Sequence, residues 1–156
     1  MPFSINPSFT KTYHHDPYPS ISPLRPELSL SGRKVLITGG GRGIGKAIAF
    51  AFALAGASVL VLVGRTEASL LETKKEIENH YRSVEIITHV LDVSNNQQVR
   101  AVFKTIQREI GTVDVLVSNA GYLPEYGLIG EADIKEWWSG FVCQGFFFRT
   151  TLTQNG

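Results

Sequence analysis

Apolar and polar positions along the chain fall into blocks whose period changes repeatedly from Lys34 onward. The run "KVLIT" (Lys34 to Thr38) is short, apolar and rich in β-branched residues, which predicts a buried strand. A helix is predicted from about Ile44 to Ala55, with Gly56 placed to end it at the C′ position. "SVLVLV" (Ser58 to Val63) predicts a second strand, and "TEASLLETKKEIENHY" (Thr66 to Tyr81) a charged amphipathic helix with Thr66 as its N-cap. "VEIITHV" (Val84 to Val90) predicts strand three. Ser94 and Gln97 have the spacing of a capping box. Behind them Val99, Val102, Phe103, Ile106 and Ile110 recur at spacings of three and four, and Gly111 stops that helix. "VDVLVS" (Val113 to Ser118) predicts strand four; a polar loop from Asn119 to about Gly130 and aromatic-rich helical sequence follow.

Alternating strands and helices predict an α/β fold, a doubly wound parallel sheet of Rossmann type with right-handed crossovers. The first 30 residues differ: Pro2, Pro7, Pro17, Pro19, Pro23 and Pro26 stand there without any period of two or 3.6. Each proline removes a donor and biases its predecessor towards extended geometry. The expectation is a Pro-rich N-terminal arm over 1–30, packed along the domain or mobile, and one α/β domain over 31–156. His14 and His15 are adjacent, point opposite ways on an extended chain and lack a third ligand nearby, so no metal site is expected.

Composition narrows the choices. A formal net charge of +1, with scattered basic residues, argues against nucleic acid and acidic membrane surfaces as partners. The single cysteine, Cys143, excludes an intramolecular disulfide and a cysteine zinc site, and suits a reducing, cytoplasmic location. No apolar leader is read in the arm, and "AIAFAFALAGASVLVLV" is split by Gly56 and Ser58 into a helix and a strand, so no membrane span is expected.

The chemistry concentrates in "TGGGRGIG" (Thr38 to Gly45), between the first strand and its helix. In a doubly wound sheet this turn faces the ligand crevice, and the helix presents free N–H groups and a partial positive charge. A pyrophosphate suits that environment. Gly39 permits a tight exit from the strand, Gly43 leaves room for phosphate oxygens to reach the backbone, and Gly45 lets the helix lie close on the sheet.

The spacing TGxxxGxG resembles the classical short-chain dehydrogenase/reductase family. "LDV" (Leu91 to Val93) and "NAG" (Asn119 to Gly121) strengthen the resemblance, which covers about residues 31 to 150; the arm looks like extensions on fungal members. The resemblance implies strand order 3-2-1-4 for the N-terminal, cofactor-binding half of such a domain, so that 31–156 would be an incomplete NAD(P)-binding Rossmann domain, truncated after about four strands. It implies that Asp92 and the Val93 N–H meet adenine, that Asn119 is structural, and that Ala120 and Gly121 approach the cofactor riboses. Ile44 and Arg42 belong to the phosphate turn. A turn carboxylate before Ser94 is the other reading of Asp92.

Strand two ends in "VGRTE", with Arg65 where an NAD enzyme favours an acidic residue. A guanidinium pairs with a 2′-phosphate and a carboxylate repels one, and Arg42 adds a second cation. The expected cofactor is NADP, with NAD less favoured. Glu67 as a ribose ligand and Arg65 as an ordinary loop arginine remain alternatives.

The family's reaction moves hydride between nicotinamide and a carbonyl or alcohol, using a Ser and Tyr-x-x-x-Lys. No tyrosine here has a lysine four residues on, and Val142 stands where the family's helix Asn would be. Ser118 and Ser139 do not substitute for the family's Ser. No catalytic residue is therefore assigned, and the chain is expected to be inactive alone. The alternative is a non-catalytic nucleotide-binding or protein-interaction module. Cys143 reads as a small buried or interface residue. Trp137, Trp138, Phe141 and Phe146 to Phe148 read as a packing or subunit face, or as a substrate pocket. An unpartnered, apolar strand-four edge (Val113, Val115, Leu116, Val117) would favour homo-oligomers or aggregation.

Overall fold

The structure, a computed structural model, describes residues 18–123, 128–131 and 133–141. His14, His15, Val142, Cys143 and Phe146 to Phe148 lie outside the described residues. The elements follow the predicted order: β1 (Lys34–Thr38), α1 (Gly43–Leu54), β2 (Val59–Gly64), α2 (Glu67–His80), β3 (Glu85–Val90), α3 (Asn96–Ile110) and β4 (Val115–Val117). Residues 134–141 are helical. The strands form one parallel sheet in the order β3-β2-β1-β4, as the resemblance implied. Val35, Leu36 and Ile37 pair in register with Leu60, Val61 and Leu62 on one side and with Val115, Leu116 and Val117 on the other.

Period-two alternation divides the core between the two faces of the sheet. Val35, Ile37, Leu60, Leu62 and Ile86 pack with Ala49 and Ala53 of α1 and Leu70 and Ile77 of α2. Leu36, Val59, Val61 and Val63 pack with Leu91, Val93, and Val99 and Ile106 of α3. The central strands are buried on both faces, which is why "KVLIT" and "VLVLV" read as unbroken apolar runs. Gly56 and Gly111, with φ of 84° and 76°, follow α1 and α3 at the expected stops.

Four local expectations need correction. The cap of α3 is Asn95, not Ser94: its side chain accepts from the amides of Gln97 and Gln98, both at 3.1 Å. Ser94 is taken by Asp92 instead, donating to it from both amide and hydroxyl. Thr66 occupies the N-cap position of α2, but its side chain makes no capping bond. In the arm, Pro19 and Pro26 open short 3₁₀ turns (Pro19–Ile21 and Pro26–Leu28), because proline's fixed φ suits a first helical position as well as an extended one. Strand four is shorter than predicted. Its approach is spent on Asp114, whose carboxylate accepts from the Lys34 amide (2.8 Å) and Arg33 (3.1 Å), so that the ladder begins at Val115.

These bonds hold the Asp114 carboxyl below the usual carboxylate range, the Lys34 amide contributing most. Among the described residues no helix is long and apolar enough to cross a membrane. None of the described His, Cys, Asp or Glu residues group in threes or more as a metal cluster would require.

Candidate functional site

Because all four strands are parallel, their C-terminal ends share one edge, and the loops leaving them surround a cavity of about 680 Å³. The cavity brings together the residues expected to hold a cofactor: Gly39, Arg42, Gly43, Ile44 and Gly45 after β1, Arg65 after β2, Asp92 and Val93 after β3, and Asn119, Ala120 and Gly121 after β4. Glu67 does not line it; it lies in the first turn of α2.

The turn after β1 is held by backbone contact. Gly39 has φ +69° and donates to the Val63 carbonyl at 2.7 Å. A Cβ on Gly45 would stand 2.1 Å from the Gly39 carbonyl oxygen and 2.6 Å from Asn119 Nδ2. The third glycine is therefore required by the crossing of α1 over the end of β1 and by the Asn119 amide. A Cβ on Gly43, in contrast, would meet nothing within 4 Å: that position opens onto space. The first-turn amides of α1 have no intrahelical acceptor, and Arg42 at the N-cap supplies no side-chain cap. This is a ready anion site.

Thr38 ties β1 to the loop after β4. It is buried, and its hydroxyl accepts from the amides of Asn119 (3.0 Å) and Ala120 (2.9 Å) while lying 3.4 Å from the Val117 carbonyl as donor. Asn119 Nδ2 returns a bond to the Thr38 carbonyl at 2.9 Å. Asn119 is thus tied to β1 through both its backbone and its side-chain amide. A buried hydroxyl at the end of a strand marks such a tie, because it needs a partner once it is out of water.

At the other end, Arg42 and Arg65 are exposed, and among the described residues neither forms an ion pair. The Asp92 Oδ1 accepts from the Ser94 hydroxyl (2.7 Å) and amide (2.9 Å). Those two bonds hold its carboxyl below the usual range; partial burial opposes them, and the Arg65 charge adds a smaller attraction. Asp92 is therefore a turn carboxylate that also faces the cavity.

Thr66, Ser69, Ser94, Tyr122 and Ser139 also line the cavity and were not anticipated as site residues. Tyr122 donates to Glu136 at 2.8 Å, and the Ser139 hydroxyl donates to the Glu136 carbonyl at 2.6 Å. The lack of Lys four residues after Tyr122 says nothing of its place at the mouth. Trp137, Trp138 and Phe141 lie against one another, about half exposed, with Trp138 and Phe141 stacked, and they are not among the residues that line this cavity.

The short chain dehydrogenase family model matches residues 33–144. The chain belongs to that family. It is 41% identical over 130 residues to the short chain dehydrogenase tazN of Aspergillus terreus, covering 83% of this chain and 28% of that one. It is 40% identical over 104 residues to human short-chain dehydrogenase/reductase 3, covering 67% of this chain and 34% of that one. Among solved structures, L-sorbose reductase of Gluconobacter frateurii, complexed with NADPH and L-sorbose, aligns with a TM-score of 0.72 at 31% identity. That alignment covers 79% of this chain and 46% of the reductase. The short-chain dehydrogenase chain described here therefore spans about half or less of the length of these relatives.

Proposed function

We propose that this chain is the NADP(H)-binding portion of a short-chain dehydrogenase/reductase, an oxidoreductase acting on a carbonyl or alcohol. The observation that carries the reading is the convergence on one cavity of the bare β1–α1 turn and two exposed guanidinium groups that form no ion pair among the described residues. The residues suit the dinucleotide. The amides of Gly43, Ile44 and Gly45 would face its diphosphate, with no side chain on Gly43 to obstruct them. Arg65 and Arg42 would hold a 2′-phosphate, where an acidic residue would repel it. Asp92 and Val93 would meet the adenine, and Ala120 and Gly121 the riboses.

When bound, the nicotinamide supplies hydride transfer; this chain supplies its binding and orientation. No tyrosine in the 156 residues has a lysine four positions on, so the reading assigns the chain cofactor binding without turnover. Calorimetric titration tests this directly. Saturable binding is expected, tighter for NADPH than NADH, with no carbonyl reduction by the chain. Arg65→Glu should erase the preference, costing NADPH about 10- to 100-fold, the size of a charge-assisted contact. Absence of saturable binding for either nucleotide would defeat the proposal, and equal affinity of the unaltered chain for both would defeat its NADP part.

A further inference from the structure

Thr73 breaks the pattern of its helix. It sits on the core-facing stripe of α2, three residues after Leu70 and four before Ile77, where an apolar residue is expected. Leu70 is 1% exposed, Ile77 0%, and Thr73 itself 0%. A hydroxyl at such a place costs free energy unless it has a partner. Helical threonines commonly bond a carbonyl one turn back along their own helix. Thr73 instead donates across the structure to the Gly41 carbonyl, at 3.0 Å.

Gly41 is the middle of the turn between β1 and α1. A Cβ there would stand 3.1 Å from Ser69 Cβ and 3.2 Å from the Leu70 amide nitrogen, so the turn already rests against the same stretch of α2. One face of the Gly41 peptide is therefore fixed by packing and its carbonyl by the Thr73 hydroxyl. The two amides that follow, of Arg42 and Gly43, lead directly into the open first turn of α1. The ion pair between Lys46 and Glu76 (2.6 Å), one helical turn further along, keeps α1 and α2 in place around this contact.

We propose that Thr73 is a positioning residue: its hydroxyl, acting through the Gly41 carbonyl, sets the turn that receives the dinucleotide's diphosphate. The inference rests on the cofactor reading above. Its role is distinct from that of Arg65, which concerns the 2′-phosphate.

The test compares Thr73→Val, which keeps the shape and removes the hydroxyl, with Thr73→Ser, which keeps the hydroxyl. Two ligands are titrated: NADPH, and adenosine 2′-monophosphate, which lacks a diphosphate. Thr73→Val should weaken NADPH about tenfold, the size of one lost buried hydrogen bond, and leave adenosine 2′-monophosphate within about twofold. Thr73→Ser should restore NADPH affinity. Amide spectra of the ligand-free Thr73→Val chain should change at Gly41 to Gly45 while β2 and β3 signals stay in place. Unchanged NADPH affinity in Thr73→Val, equal loss of both ligands, or spectral changes spread over the whole sheet would each overturn the inference. Failure of the unaltered chain to bind NADPH would instead strike the cofactor reading, and this inference with it.

Discussion

Replacing Gly45 with alanine sets helix propensity against packing, because the two predict opposite signs. Gly45 lies inside α1 without a positive φ, so by propensity alone alanine should stabilise the chain by about 1 kcal/mol. The structure places the new Cβ 2.1 Å from the Gly39 carbonyl oxygen and 2.6 Å from Asn119 Nδ2. Close carbon–oxygen contacts settle at roughly 3.3 Å, so something must move by about 1 Å. Neither neighbour yields easily: the Gly39 amide is bonded to Val63 at 2.7 Å, and the Asn119 amide to Thr38 at 2.9 Å. Overpacking of this kind costs about 3 kcal/mol, the upper part of its usual range, because the overlap is with backbone. The net expectation is about 2 kcal/mol of destabilisation, a drop of about 1 M in the urea midpoint. NADPH affinity should fall with it, since the same movement opens the turn. Gly56→Ala is the control. It has φ of 84° and nothing within 4 Å of an added Cβ, so it should lose about 1–2 kcal/mol to backbone strain while binding NADPH normally. A Gly45→Ala chain with an unchanged or raised midpoint would refute the packing argument.

Two further predictions follow from the corrected caps and carboxylates. Asn95→Ala should cost about 1 kcal/mol by removing the cap of α3, and Ser94→Ala less; urea midpoints at neutral pH compare them, and a larger loss for Ser94→Ala would reinstate the capping box. The carboxyls of Asp92 and Asp114 are held below their ordinary pKa in the folded chain. Their contribution is then complete above the unfolded value, about 4, and is lost as pH falls through the lower folded values. The urea midpoint should decline on acidification below about pH 4, and Ser94→Ala, which frees Asp92, should flatten that decline. A midpoint that rises over the same interval would contradict the assignment.

The fold was legible because its signals are local and strong. The unbroken apolar runs of β1 and β2 admit only a doubly covered position, and Gly56 and Gly111 mark the helix ends unambiguously. The glycine turn, with "LDV" and "NAG", located the cavity's floor because each motif follows a strand whose C-terminal end must lie on the same edge. What escaped reading depends on competition between neighbours in space. Ser94 and Asn95 are both good caps, and only the capture of Ser94 by Asp92 decides between them. The burial of Thr38 and Thr73 depends on partners far away in sequence, the loop after β4 and the Gly41 carbonyl. Tyr122 and Ser139 reach the cavity from the loop and helix after β4, where no periodic pattern fixes direction.

The central claim is that a dinucleotide occupies the edge where the four strands end. Amide spectra recorded during NADPH titration test it most directly. The account predicts saturable shifts concentrated at Gly39 to Gly45, Arg65, Asp92, Val93 and Asn119 to Gly121, with Ile110 and Gly111 at the opposite end unmoved. Shifts centred on Trp137, Trp138 and Phe141, or none at saturating nucleotide, would contradict it.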